Sequence, residues 1–408
     1  MRLRKWLLVG LLIGILFLSE SVAVHNSFAV HFPGVSDFYS RWAGARAFLV
    51  EGRDPYSLEV TEEIQRVIEI DPTLEGVGKG GFAYPLYTLF LFWPLVYLSY
   101  DWAQAIWMVT LQWVAVATVL GLLRLGRWRP SPIGLAGLCL GTLFLYPITR
   151  TIFLGQFTLH VTFFLVAALW ALHRGHDGWA GAFLAATSIK PQMVIFIVPW
   201  LILWTIGRRR WRLLGGLLAG GGGLLVTSLM LFPRWPISFL EDIQRYSKVA
   251  GGRNPLVVLM NLVWPGGPES APYGLAGILM LAMLWAWRRG WRDEGKFFMR
   301  ATHWTIIVGL LVTFQTGTTN YALLLIPLFA WLRRALTYWG RGWTLAMAIA
   351  LLAIPWIIFL STIKGDWENP IMFLPLPLFS LAVMLGIEIN HWLVAQRPAG
   401  GSELDAAR

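Results

Sequence analysis

One cysteine in 408 residues, Cys139, leaves no partner for a disulfide within the chain and too few thiolates for a sulfur-ligated metal. Charge is scarce as well. Only 13% of the residues are Asp, Glu, Lys or Arg, where soluble domains carry about 25%, and that excludes an ordinary soluble globular protein. Acids are scarcer than bases, 22 against 33, for a net charge of +11. No basic run is long enough to form a nucleic-acid-binding arm. Walker-type and dinucleotide-binding glycine motifs are absent, which leaves ATP-driven transport and nicotinamide or flavin redox chemistry without support. No histidine–carboxylate spacing matches a ligand set, so His160 and His303 read as packing or polar helix residues. Neither a metal nor a cofactor is expected.

Apolar residues fill the gap: 57% of the chain is hydrophobic, with 24 Trp and 24 Phe. Apolar runs of about 20 residues span a bilayer. Such runs lie at 6–24, 102–123, 131–148, 157–173, 213–232, 272–287, 343–363 and 371–395, with shorter ones at 84–98, 179–190, 191–206, 255–264, 302–316 and 321–332. They are continuous rather than alternating, which selects helices over a barrel. The expectation is an all-α integral membrane bundle of about 11–13 transmembrane or half-spanning helices. Basic clusters at 2–5, 208–212, 288–300 and 333–341 fall between the runs, the pattern of cytoplasmic loops. The first segment reads as a retained anchor rather than a cleaved signal. It exits the membrane and puts a large loop, 25–83, outside. One membrane domain is expected over 1–395, then a disordered cytoplasmic tail at 396–408.

The middle of the chain is ambiguous. Residues 179–206 as one helix would run about 42 Å, longer than a hydrocarbon core of about 30 Å, and Lys190-Pro191 sits near its centre. Either both halves cross and Lys190 faces outside, or they form one kinked span with Lys190 in mid-membrane. The glycines Gly215, Gly216 and Gly220 to Gly223 read as a close-packing helix face.

The outer loop is the acidic part of the chain, with nine of the 22 carboxylates against five bases. Phe38, Trp42, Ala45 and Leu49 recur at helical spacing, so 37–50 reads as an amphipathic helix at the interface. Leu58, Ile64, Val67 and Ile68 make a second over 57–70. Asp37 heads the first. It suits an N-cap, a place Ser36 fills equally well, and it suits a catalytic carboxylate at a membrane surface. Lys190, between Ile189 and Pro191, is either a snorkelling lysine or a cation kept for an anionic group such as a lipid phosphate. Four short polar interruptions sit beside helix ends: Thr149-Arg150-Thr151, Gly155-Gln156, Gly252-Arg253-Asn254-Pro255 and Thr318-Thr319-Asn320-Tyr321. Singly they are loops or caps; gathered on one side they would line a cavity.

In their order these motifs resemble the polytopic glycosyltransferases of the GT-C superfamily, and within it glycosyltransferase family 87. The resemblance is carried by Asp37-Phe38-Tyr39 with Trp42, Ala45 and Leu49, then by Gly52-x-x-Pro55-Tyr56 and Tyr84-Pro85 with Pro94-Leu95. Gly155-Gln156, Ala180-Gly181 through Ile189-Lys190-Pro191, the cluster 208–212, Asn254, and Asn320-Tyr321 ahead of Leu323 to Pro327 continue it. The chain departs at Leu86, where the family often has a second proline, and around Asn320-Tyr321, where a histidine is frequent.

The resemblance implies a mannosyl- or arabinofuranosyl-transferase-like enzyme of a bacterial plasma membrane with an extracytoplasmic active site. It would move a hexose, mannose foremost, or a pentose from a polyprenyl-phosphate sugar to a lipid-linked or cell-envelope glycan acceptor. Asp37 would be the base of an inverting displacement. Lys190, Arg253 and Arg150 would hold the donor phosphate. Tyr39, Trp42, Tyr84, Gln156, Asn254, Asn320 and Tyr321 would line the substrate site. The rival reading is a polytopic transporter or flippase of lipid-linked sugars, whose mark is paired broken helices in corresponding halves; here only 179–206 looks broken.

Overall fold

The computed structural model describes residues 2–32, 36–70, 80–249, 254–313, 316–363 and 368–395. The expected tail, 396–408, and Arg253 lie outside the described residues. Among the described residues there are helices and no strand.

Helix α1 (Arg2–Val24) is prolonged by a π-helical turn, His25–Ala29, and followed by two short helices, α2 (Phe38–Leu49) and α3 (Leu58–Ile70). Two 3-10 segments, Leu86–Leu91 and Trp93–Tyr97, lead into α4 (Tyr100–Leu125), α5 (Pro132–Phe144), α6 (Tyr146–Leu154) and α7 (Thr158–His173). Next come α8 (Asp177–Ala186), two 3-10 turns around Lys190, α9 (Ile197–Arg208) and α10 (Trp211–Leu231). Then follow α11 (Trp235–Val249), α12 (Pro255–Val263), α13 (Ala271–Gly290) and α14 (Lys296–Val312). A 3-10 segment, Thr318–Leu324, runs straight into α15 (Leu325–Tyr338), and α16 (Gly340–Thr362) and α17 (Pro375–Ala395) complete the bundle.

Five described helices are long and apolar enough to cross a bilayer: Trp6–Ala29, Tyr100–Leu125, Trp211–Leu231, Gly340–Thr362 and Pro370–Ile389. The pair α5 and α6, bent by 61°, makes a sixth if it is one span. Large apolar side chains such as Ile133 and Met230 point outward almost fully exposed, which only a hydrocarbon surround makes favourable. The chain is an all-α membrane protein.

Several apolar runs are realised as broken pieces, for local reasons. Run 84–98 forms two 3-10 segments, because Pro85 and Pro94 supply no N–H and Phe92 leaves helical geometry at φ −143°. Run 179–206 breaks at Lys190, with φ −137° and ψ 76°, since the residue before a proline is pushed out of the α region. Both readings of that run anticipated a break there. The glycine run is partly a crossing point. A Cβ on Gly216 would fall 2.0 Å from the Gly178 carbonyl oxygen, and one on Gly181 would fall 2.1 Å from that of Leu213, so α8 and α10 touch backbone to backbone. Gly215, Gly222 and Gly223 face open space.

An aromatic nest joins the elements that carry the site. Phe38 of α2 stacks on Trp107 of α4 at 5.0 Å, and Trp107 stacks on His160 of α7 at 5.0 Å. Phe92 and Phe157 close around Trp107 edge-on, and such pairs add about 0.5–1.5 kcal/mol each beyond area burial. Helix α2 forms where its spacing predicts, but it is buried beyond the expected stripe, Ser40 and Gly44 included. It is clamped to the bundle: Trp42 Nε1 donates to the Leu95 carbonyl at 3.0 Å and Arg46 to that of Val96 at 2.7 Å.

Candidate active site

Asp37 stands at the first residue before α2, yet its side chain makes no capping hydrogen bond. Ser36 Oγ accepts from the Phe38 N–H instead, at 3.2 Å. The Asp37 carboxylate reaches across to the loop between α6 and α7 and accepts from Gln156 Nε2 at 2.6 Å. The other end of that amide takes two donors, the Tyr84 hydroxyl at 3.0 Å and the Lys190 ammonium at 3.1 Å. A carboxylate only accepts and an ammonium only donates, so these partners fix which way the amide points. Lys190 is buried and also donates to Thr158 Oγ1 at 3.2 Å. Four residues named from sequence, Asp37, Tyr84, Gln156 and Lys190, therefore meet in one network drawn from four separate stretches of chain.

Gly155 makes the meeting possible. It ends α6 in the left-handed region at φ +65°, and a Cβ there would sit 2.6 Å from Phe38 Cβ and 2.9 Å from Ser36 Oγ. Only glycine permits both the turn and the approach of α2. Gly155→Ala is expected to cost about 1–3 kcal/mol of stability. It should also lower turnover by up to about 10²-fold by displacing Asp37 from Gln156. Thermal unfolding in detergent together with a turnover assay checks this, and an unchanged melting temperature and rate would remove Gly155 from the positioning role.

Two groups that sequence reasoning missed support the network. Arg41, one turn along α2 from Asp37, donates to the Asp37 carbonyl at 2.7 Å and lies over the Tyr84 ring at 5.2 Å. It and Asp37 are both within electrostatic reach of Lys190. The i,i+4 spacing of an aspartate and an arginine was a readable signal. Asp242 of α11 accepts from the Ala83 N–H at 3.0 Å and pairs with Arg245 at 3.3 Å. Burial pushes its carboxyl above the ordinary range, partly offset by the Ala83 N–H and by Arg245. Ala83 itself has φ +49°, unusual for a residue with a side chain. The Tyr56 hydroxyl donates to the Tyr84 carbonyl at 2.7 Å. Asp242 and Tyr56 thus hold the strained turn that presents Tyr84, and nothing local in the sequence marked Asp242 for this.

The remaining expected site residues lie elsewhere or are occupied. Arg150 belongs to a second polar group: its Nε is 3.2 Å from Glu368 Oε1, an ion pair outside hydrogen-bond alignment. Glu368 also accepts from Thr318 at 2.7 Å and from Tyr146. Thr151, the next residue of α6, donates to the Pro147 carbonyl at 2.6 Å with the Thr319 carbonyl 3.5 Å away, and Glu368 ties α6 to the segment before α15. Glu368 falls beyond the stretch of chain that the family resemblance covered. Asn320 is buried, with Nδ2 on Thr316 Oγ1 at 3.3 Å and no partner for Oδ1 among the described residues. Tyr321 donates to the Phe373 carbonyl at 2.9 Å. Asn254 caps α12, accepting from the Leu256 N–H at 2.8 Å. Tyr39 and Trp42 pack on Tyr100, at 4.9 and 5.4 Å. Among the described residues no three His, Cys, Asp or Glu side chains converge as a metal site.

The arrangement holds a carboxylate and a buried ammonium on opposite ends of one amide, flanked by a guanidinium over an aromatic ring. The family model described as glycosyltransferase family 87 matches residues 82–313, more than half of the chain. Tyr84, Gln156, Lys190 and Asp242 lie inside that stretch, and Asp37 lies outside it. No curated protein and no solved structure matches the chain.

Proposed function

The chain belongs to glycosyltransferase family 87, and we propose that this membrane glycosyltransferase takes its sugar from a polyprenyl-phosphate donor and delivers it to a lipid-linked or envelope glycan acceptor. The observation that carries the proposal is the Asp37–Gln156–Lys190 network. An acceptor hydroxyl is a weak nucleophile, so a positioned carboxylate takes its proton as the bond to the anomeric carbon forms. The bond from that carbon to the phosphate oxygen breaks on the opposite face, and polyprenyl phosphate leaves with its negative charge. In this scheme Asp37 accepts the proton and Lys190, seconded by Arg41, meets the phosphate. Direct displacement with one base inverts the anomeric centre. Arg150 has a carboxylate of its own in Glu368, so the phosphate is assigned to Lys190 first.

The membrane is proposed to be a bacterial plasma membrane, with residues 1–395 as one catalytic domain. An outward-facing site is supported by Lys296, Arg300, Arg333 and Arg334, which gather with His173 at the far end of α7, while Thr158 at its start touches Lys190. Mannose is the first sugar to try. Purified protein incubated with polyprenyl-phosphate mannose, glucose and arabinofuranose and with mixed envelope-lipid acceptors should give a glycosylated product from one donor. Proton NMR of that product should show the anomeric configuration inverted relative to the donor. Retention of configuration would overturn the single-displacement scheme.

A further inference from the structure

A cavity of about 540 Å³ opens at the end of the bundle opposite Asp37. Helix α7 links the two ends: Thr158 touches Lys190 while His173 lines the cavity, about 22 Å further along the helix axis. The walls come from the ends of α4 and α7, the start of α14, and from α15 and α17.

What distinguishes the cavity is the polar atoms left without partners. Arg300 is 6% exposed, and among the described residues its Nε and Nη2 have no hydrogen-bond partner; neither do Trp331 Nε1, Ser380 Oγ and His303 Nε2. All four residues line the cavity. An Arg N–H and an indole N–H only donate, and a serine hydroxyl and an imidazole can both donate. The charges are mostly basic, and the carboxylate on the wall, Glu294, is paired with Arg208 at 2.7 Å. Arg300 Nη1 has Glu388 at 3.9 Å, and that carboxylate is shared with Arg289 at 3.8 Å. Arg334 lies close enough to act on both Arg300 and His303, and Lys296 and Arg333 add to the rim. The Phe297 ring, 5.6 Å from the Arg300 guanidinium, offers only a weak further contact. A buried cation whose carboxylate partner stands 3.9 Å off and is shared with a second arginine, among donors without acceptors, is costly to keep. The missing complement is a compact anion with several acceptor oxygens. Much of the remaining wall is apolar, with Leu122, Phe329, Phe379 and Val383, and suits a hydrocarbon chain.

We propose that this cavity binds the phosphate of an anionic membrane lipid, with Arg300 as its central contact and the acyl chain along the apolar wall. The site is separate from the Asp37 network and does not depend on how that network is read. A guanidinium matches phosphate oxygens by two parallel N–H donors, and Arg300 has two nitrogens to spare.

The test is native mass spectrometry of the delipidated full-length protein supplied with phosphatidic acid, phosphatidylcholine of the same chains, or inorganic phosphate. One phosphatidic acid per chain is expected, bound at least tenfold more tightly than phosphatidylcholine, and Arg300→Gln should weaken it at least tenfold. Should Arg300→Gln not fold, the double variant Arg333→Gln/Arg334→Gln, both exposed, should show a smaller loss in the same direction. Equal binding of the two lipids would overturn the proposal, as would undiminished binding in the variants. Inorganic phosphate binding as tightly as phosphatidic acid, and displacing it, would make the ligand a soluble phosphate compound and sink the lipid assignment.

Discussion

Asp37→Asn is expected to lower sugar transfer by roughly 10²–10⁴-fold, the usual contribution of a positioned base, with no loss of membrane insertion or yield. The substitution keeps the shape of the side chain. Asn retains an oxygen that can still accept from Gln156 Nε2, the bond that Asp37 makes at 2.6 Å. The start of α2 is also spared, because Ser36 rather than Asp37 serves its N-terminus. Only basicity is removed. Donor affinity should therefore stay within about threefold of wild type, because the carboxylate acts in the transition state rather than in binding. A variant that turns over at a near-normal rate would remove Asp37 from the role of base. One that loses donor binding as well as turnover would move Asp37 from catalysis to the support of Lys190.

Lys190→Ala is expected to reduce kcat/KM for the donor by about 10²–10³-fold, the range for removing one preorganised stabiliser of developing charge. Most of that loss should appear as a raised donor KM. The ammonium sits in a tight 3-10 break, held by Gln156 and Thr158, where a compact point charge fits and a planar fork does not, so Lys190→Arg should rescue little. Its removal leaves Gln156 Oε1 with the Tyr84 hydroxyl, which keeps the amide orientation and isolates the electrostatic effect. A lower melting temperature with an unchanged donor KM would make Lys190 a structural residue instead.

Local pattern carried the chain a long way and stopped at distance. The helix over 38–49 was readable from Phe38, Trp42, Ala45 and Leu49, and the break at Lys190-Pro191 from the conformational demand of the proline. The run 84–98 looked like a span because hydropathy does not register that Pro85 and Pro94 deny backbone donors. Of the network, the member residues were legible one by one, while their joining was not: Asp37 and Gln156 are 119 positions apart. No period or spacing encodes a contact of that kind; packing of Phe38 on Trp107 and the missing side chain of Gly155 produce it. Arg41 was within reach of a helical-wheel argument. Asp242 and Glu368 were not, since nothing in their local sequence sets them apart and their partners, Ala83 and Arg150, are set by the fold.

The most direct test of the central claim is a single-turnover experiment with a radiolabelled polyprenyl-phosphate sugar bound beforehand to wild type and to Asp37→Asn, then mixed with acceptor. The account predicts that both proteins hold the donor, and that only the wild type passes label to the acceptor within the observed time. Equal transfer by the two proteins would contradict it. So would label that crosses the bilayer still attached to its lipid in proteoliposomes of either protein, the outcome expected of a flippase.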